Sequence, residues 1–173
     1  KRQTQQRRSV LVTGGSRGIG HAVAKELSKD HHVLVGGTHP DTVNAVVGQL
    51  DDAEPFIADL TDAQAVAEAV AAVDRLDAVV HSAGTYGSGN TLAQTSRSEW
   101  RDVLELNVVA VADLTAQLLP LLRDSHGQIV MINSGSGLHR PGPRTGVYAA
   151  SKYALRALTD ALREEERGAV RVT

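Results

Sequence analysis

Val10-Leu11-Val12-Thr13-Gly14-Gly15-Ser16-Arg17-Gly18-Ile19-Gly20 is the stretch from which this chain is read. Its three apolar residues favour a short buried strand, and the glycines that follow end it. From Gly18 the pattern changes, because Ile19, Val23, Ala24 and Leu27 recur at helical intervals and predict a helix over 18–28. A strand that turns through glycines into a helix makes a natural anion site: the first N–H groups lack partners, the dipole is positive there, and the bare backbone admits a pyrophosphate. The competing reading is a tight connection that binds nothing.

Outward from this turn, apolar strands are expected at 32–35, 55–58, 76–81, 128–132 and 169–173, with helices at 41–50, 62–72, 96–123 and 146–167. Thr38 or Pro40 is the expected start signal of the second helix and Thr61 of the third. Ser96 with Glu99 fits a capping box, and Pro120 is expected to kink the last turn of its helix. Regular alternation with apolar strands predicts an α/β fold: a Rossmann-type, doubly wound parallel sheet with helices on both faces, in three layers. No repeat or linker divides the chain, so 9–173 is expected to be a single domain, preceded by a disordered polar and basic tail at 1–8. Because the sequence stops as the sixth strand begins, it reads as a fragment or as a chain with later residues omitted.

The 173 residues, 42% of them apolar, suffice for a core, and with no cysteine that core has neither disulfides nor thiolate-bound metal. A net charge of −2 argues against a nucleic-acid partner or an anionic membrane surface. No unbroken apolar run approaches the roughly 20 residues of a membrane span, and the start lacks a secretory signal, so the expected compartment is the cytoplasm. The seven histidines are scattered without ligand spacing, and no metal is expected.

Tyr148-Ala149-Ala150-Ser151-Lys152 places a phenol and an ammonium four residues apart on one helical face. A free phenol, with a pKa near 10, is a poor base at neutral pH. A unit positive charge about 5 Å away at an effective dielectric of about 20 favours the phenolate by roughly 3 kcal/mol, enough to bring such a group toward general acid-base work. The alternative is a surface Tyr and Lys on an amphipathic helix.

The spacing Thr13-Gly14-x-x-x-Gly18-Ile19-Gly20, followed in order by Asn107, by Ser134 in Ile132-Asn133-Ser134-Gly135-Ser136-Gly137, and by Tyr148 with Lys152, resembles the short-chain dehydrogenase/reductase family over nearly the whole chain. The resemblance implies that Tyr148 exchanges a proton with a small carbonyl or alcohol substrate, Ser134 steadies the reacting oxygen, Lys152 assists Tyr148 and binds the nicotinamide ribose, and Asn107 holds a water that links Lys152 to solvent. Ser136 is the alternative to Ser134. Gly14, Ser16, Arg17, Gly18 and Ile19 are implied to line the cofactor site, Asp59 and Leu60 to lie at the adenine, and Ser82, Ala83 and Gly84 to lie near the cofactor in His81-Ser82-Ala83-Gly84, which resembles the family's Asn-Asn-Ala-Gly with His81 and Ser82 in place of the asparagines. Taken alone, Asp59 reads as a cap or loop residue.

An acid ending the second strand would favour NAD(H); Gly36-Gly37-Thr38 stands there instead. Together with Arg17, whose guanidinium can pair with a 2′-phosphate, this favours NADP(H), with Thr38 beside it and NAD(H) as second choice. The family pattern also implies a homodimer or homotetramer through the helices at 96–123 and 146–167. It places a substrate lid and a last strand beyond the sixth strand, leaving 85–91 and 139–145 as candidate pocket edges. A catalytically silent NADP(H)-binding sensor or scaffold is the competing function.

Overall fold

The computed structural model describes residues 7–173, so the first six residues of the expected tail lie outside it. Arg7 and Arg8 are tied to the segments beside them at the amino-terminal end of the sheet. The Arg8 carbonyl accepts the His32 N–H at 2.9 Å, and Arg7 reaches Asp52 at 3.4 Å.

Six parallel strands run β1 (Ser9–Val12), β2 (His32–Gly37), β3 (Ala53–Ile57), β4 (Ala78–His81), β5 (Gln128–Met131) and β6 (Arg171–Val172), in the spatial order β3-β2-β1-β4-β5-β6. Alternation along the strands divides the core in two. Leu11, Leu34, Val79 and Ile129 face α3 (Ala63–Ala71), α5 (Ala110–Asp124) and α6 (Gly146–Glu165). Val10, Val12, Val33, Val35 and Val80 face α1 (Gly18–Leu27) and α2 (Pro40–Val47). Both faces are covered, as the uninterrupted apolar strands demand. The exception is β3, an edge strand with Glu54, Pro55 and Ile57 exposed. Pro55 donates no N–H and is tolerated because no strand lies beyond it.

Several boundaries move. The backbone of His39 precedes α2, with Pro40 as its first residue, so Thr38 is no cap. Asp62, not Thr61, caps α3, accepting from the N–H groups of Gln64 and Ala65 at 3.0 and 3.1 Å. The expected helix at 96–123 is α4 (Arg97–Leu104), a wider π turn at Glu105–Val109, and α5. It passes through Pro120 to Asp124 because Pro120 and Ala116 both face solvent, where water meets the carbonyl that proline leaves unpaired. This continuous run of 28 residues is, by length and composition, apolar enough for a membrane span, with a mean hydropathy of 1.4 in its richest window. Its scattered charges conceal this from a search for an unbroken run. Here it buries Val103, Val111, Leu114, Leu118 and Leu122 in the domain.

Gly20 sits where α1 crosses the turn, and a Cβ there would stand 2.2 Å from the Gly14 carbonyl oxygen. Two backbones cannot yield as a side chain would. Gly20→Ala is expected to lower unfolding stability by about 1–3 kcal/mol, read as a lower urea midpoint at unchanged slope. An unchanged midpoint would mean that α1 can shift freely.

Candidate active site

The order of the sheet reverses between β1 and β4, and a cleft of about 760 Å³ opens at their carboxyl ends. At one end lies the glycine turn. Gly18 has φ +57°, and a Cβ there would meet nothing within 4 Å, so the turn opens onto the cleft. Arg17 precedes α1 without capping it, and no acid occupies the first helical turn. The first N–H groups of α1 are therefore available to an anion. Thr13 fastens the turn to the next strand: its hydroxyl oxygen accepts from the N–H groups of Ser82 and Ala83, each at 3.0 Å.

Gly14, Ser16, Arg17, Gly18, Ile19, Thr38, Asp59, Leu60, Ser82, Ala83, Gly84, Tyr148 and Lys152 all line this cleft. Asp59 also performs the local task expected of it alone. Its Oδ1 accepts from the Thr61 hydroxyl and N–H at 2.7 and 2.9 Å, and these bonds hold its carboxyl below the usual range. No acid ends β2; Thr38 and His39 are exposed there, with Thr38 Oγ1 and His39 Nδ1 2.8 Å apart.

At the other end, Tyr148 and Lys152 project from the first turns of α6. Lys152 is buried, and its Nζ donates to the Ile132 carbonyl at 3.1 Å and lies 5.7 Å from the Tyr148 ring centroid. Burial pulls the ammonium pKa down. No carboxylate forms an ion pair with it among the described residues, so its remaining hydrogens are free to meet a ligand.

Asn107 and Ser134 do not line the cleft. Asn107 is buried in the π turn: its Oδ1 accepts the Thr85 N–H at 2.8 Å, and its Nδ2 donates to the Thr85 carbonyl at 2.8 Å and to Ser151 Oγ at 3.0 Å. Both amide hydrogens are thus used by the protein. Ser151 in turn donates to the Tyr148 carbonyl at 2.6 Å, which joins Asn107 to α6. Ser134 is half-buried on the loop after β5, where its Oγ accepts the Ser136 N–H at 3.1 Å. The cleft wall here is Ile132 and Asn133.

Several lining residues were given no site role by the sequence, among them His39, Thr42, Phe56, Leu106 and Tyr86. The Tyr86 ring packs against Tyr148 with centroids 4.7 Å apart. Tyr86 falls within the expected pocket edge at 85–91, but nothing in local spacing tells which residue of that edge faces inward.

A family model for the short chain dehydrogenases matches residues 8–173. The chain belongs to the short-chain dehydrogenase family. It is 39% identical over 169 residues to the uncharacterized oxidoreductase YbbO of Escherichia coli K12, with 92% of this chain aligned; the chain spans 61% of that relative's length. It is 30% identical over 167 residues to the NADPH-dependent pterin aldehyde reductase of Arabidopsis thaliana, covering 91% of this chain and 69% of the relative. Among solved structures, the RhlG/NADP active-site complex of Pseudomonas aeruginosa superposes with a TM-score of 0.88 at 32% identity, covering 97% of this chain and 71% of that one.

Proposed function

We propose that this short-chain dehydrogenase is an NADP(H)-dependent reductase of small carbonyl compounds, working in the cytoplasm. One observation carries the reading: a single cleft has free helix N–H groups and Arg17 at one end, no acid at the end of β2, and the Tyr148–Lys152 pair at the other end. The relatives and neighbours whose names include NADPH or NADP support the same cofactor.

The α1 N–H groups and Gly18 would hold the pyrophosphate, Asp59 and Leu60 the adenine, and Lys152 the nicotinamide ribose. NADPH, when bound, supplies the hydride that adds to the carbonyl carbon. Tyr148 gives its phenolic proton to the carbonyl oxygen, and the nearby Lys152 ammonium stabilises the phenolate left behind. The Ser134 hydroxyl, next to the cleft wall at Asn133 and engaged as an acceptor by the Ser136 N–H, would have to turn toward the cleft to donate its proton to the reacting oxygen. Asn107 holds the π turn beside Lys152, where a water returns a proton from solvent. Helices α4–α5 and α6, with Val109 and Tyr153 half exposed, are the faces through which copies would pair.

The cofactor reading is tested at Arg17. With the 2′-phosphate paired to its guanidinium, Arg17→Ala weakens NADPH binding about 10–100-fold, the scale of a lost charge-assisted hydrogen bond, and changes NADH little. Calorimetric titration of both cofactors measures this. Equal losses for the two would place Arg17 away from the 2′-phosphate.

A further inference from the structure

The segment after β4 has no regular structure around Tyr86, yet it is fastened on both sides of that residue. Asn107 grips the Thr85 N–H and carbonyl, each at 2.8 Å. On the other side, Glu99 Oε1 accepts from the Ser88 N–H at 2.7 Å and from the Ser88 hydroxyl at 2.6 Å. These bonds hold the Glu99 carboxyl below its usual range. They also explain an apparent failure: Ser96 caps α4 by accepting the Glu99 N–H at 3.1 Å, while the Glu99 side chain serves the loop. Gly87 fits so tightly that a Cβ would stand 2.9 Å from Glu99 Oε1 and 3.5 Å from Val147.

Between these clamps Tyr86 has little freedom. Its ring, half exposed, meets that of Tyr148 at 4.7 Å with a 41° tilt, inside the range in which aromatic pairs attract. A phenol on a helix retains rotation about two side-chain bonds, and a proton passes well only when its oxygen is held in position.

We propose that Tyr86 is a positioning residue for Tyr148: Asn107 and Glu99 hold the loop so that the Tyr86 ring braces the Tyr148 ring and sets where its phenol oxygen points. This rests on the reading of Tyr148 as the proton donor. Tyr86 acts through Tyr148 and not on the reacting atoms, and Glu99 acts from farther away through Ser88.

The test uses the full chain with ¹³C-labelled tyrosine rings, whose three tyrosines are assigned by single Tyr→Phe substitutions, and steady-state reduction of benzaldehyde and cyclohexanone with NADPH. Removing the ring in Tyr86→Ala is expected to shift the Tyr148 signals and lower kcat about tenfold, the scale of one lost aromatic contact, with KM little changed. Tyr86→Phe keeps the ring and is expected to restore both readouts; Glu99→Gln should shift the same signals less. If Tyr148 signals are the same in Tyr86→Ala as in the natural chain, the proposal is wrong, even where Tyr148→Phe is inactive and the reductase reading stands. Equal losses in the Ala and Phe variants would also overturn it, since the ring would then not be what matters. Should neither carbonyl be reduced, the kinetic arm is read with another carbonyl from a panel of aldehydes and ketones, and Tyr148 signals unchanged in Tyr86→Ala would still overturn the proposal.

Discussion

Tyr148→Phe is expected to lower kcat for carbonyl reduction by about 10²–10⁴-fold, the range for losing a positioned general acid, while NADPH binds as before. The substitution removes one oxygen. The ring still packs against Tyr86, and Lys152 remains held by the Ile132 carbonyl, so the cofactor end of the cleft is untouched. Transient kinetics with saturating NADPH separate the two quantities. A variant that retains most of its rate would remove Tyr148 from the chemistry, and one that loses rate and NADPH affinity together would make it a binding residue.

Acid is expected to destabilise the natural chain more than a His81→Asn variant, with a difference of roughly 3 kcal/mol once pH has fallen to about 4. His81 ends β4 and is enclosed; its Nε2 lies 2.9 Å from Thr115 Oγ1, and its Nδ1 has no partner among the described residues. Burial pushes its pKa from 6.5 down to about 4. The unfolded chain thus takes a proton below pH 6.5 that the folded chain refuses. The contribution is intact above that value and is lost as pH falls toward the folded pKa. His32 has the opposite sign: burial opposes its charge, but Asp52 and Glu54 raise its pKa, so its pairing stabilises at low pH and is lost as pH rises. That effect is common to both proteins and cancels in their difference. Urea midpoints taken in pH steps provide the comparison, and parallel curves would show that His81 is not the group responsible.

The α/β architecture was legible because strand and helix periods alternate without interruption, and because a glycine turn after Val12 has few other uses. The cleft residues were legible for a related reason: they lie at strand ends, which the topology brings together. What stayed hidden depends on contacts between distant segments. The family pattern singles out Asn107, but the bonds that anchor the π turn run from its side-chain amide to the Thr85 backbone and the Ser151 hydroxyl, residues 22 and 44 positions away. Glu99 looked like half of a capping box because the pattern is local, whereas its carboxylate is taken by Ser88. Ser134 lies on the loop after β5, where its side chain closes its own turn, and pattern alone does not reveal such a local hydrogen bond.

The most direct measurement is the decay of the reduced-nicotinamide absorbance when the purified chain is mixed with NADPH, and separately with NADH, in the presence of a panel of aldehydes and ketones. Oxidation of NADPH that requires both the carbonyl and Tyr148, and that outpaces oxidation of NADH, is the predicted result. Tight NADPH binding with no oxidation by any carbonyl would contradict the account and identify the chain as a sensor or scaffold built on this fold.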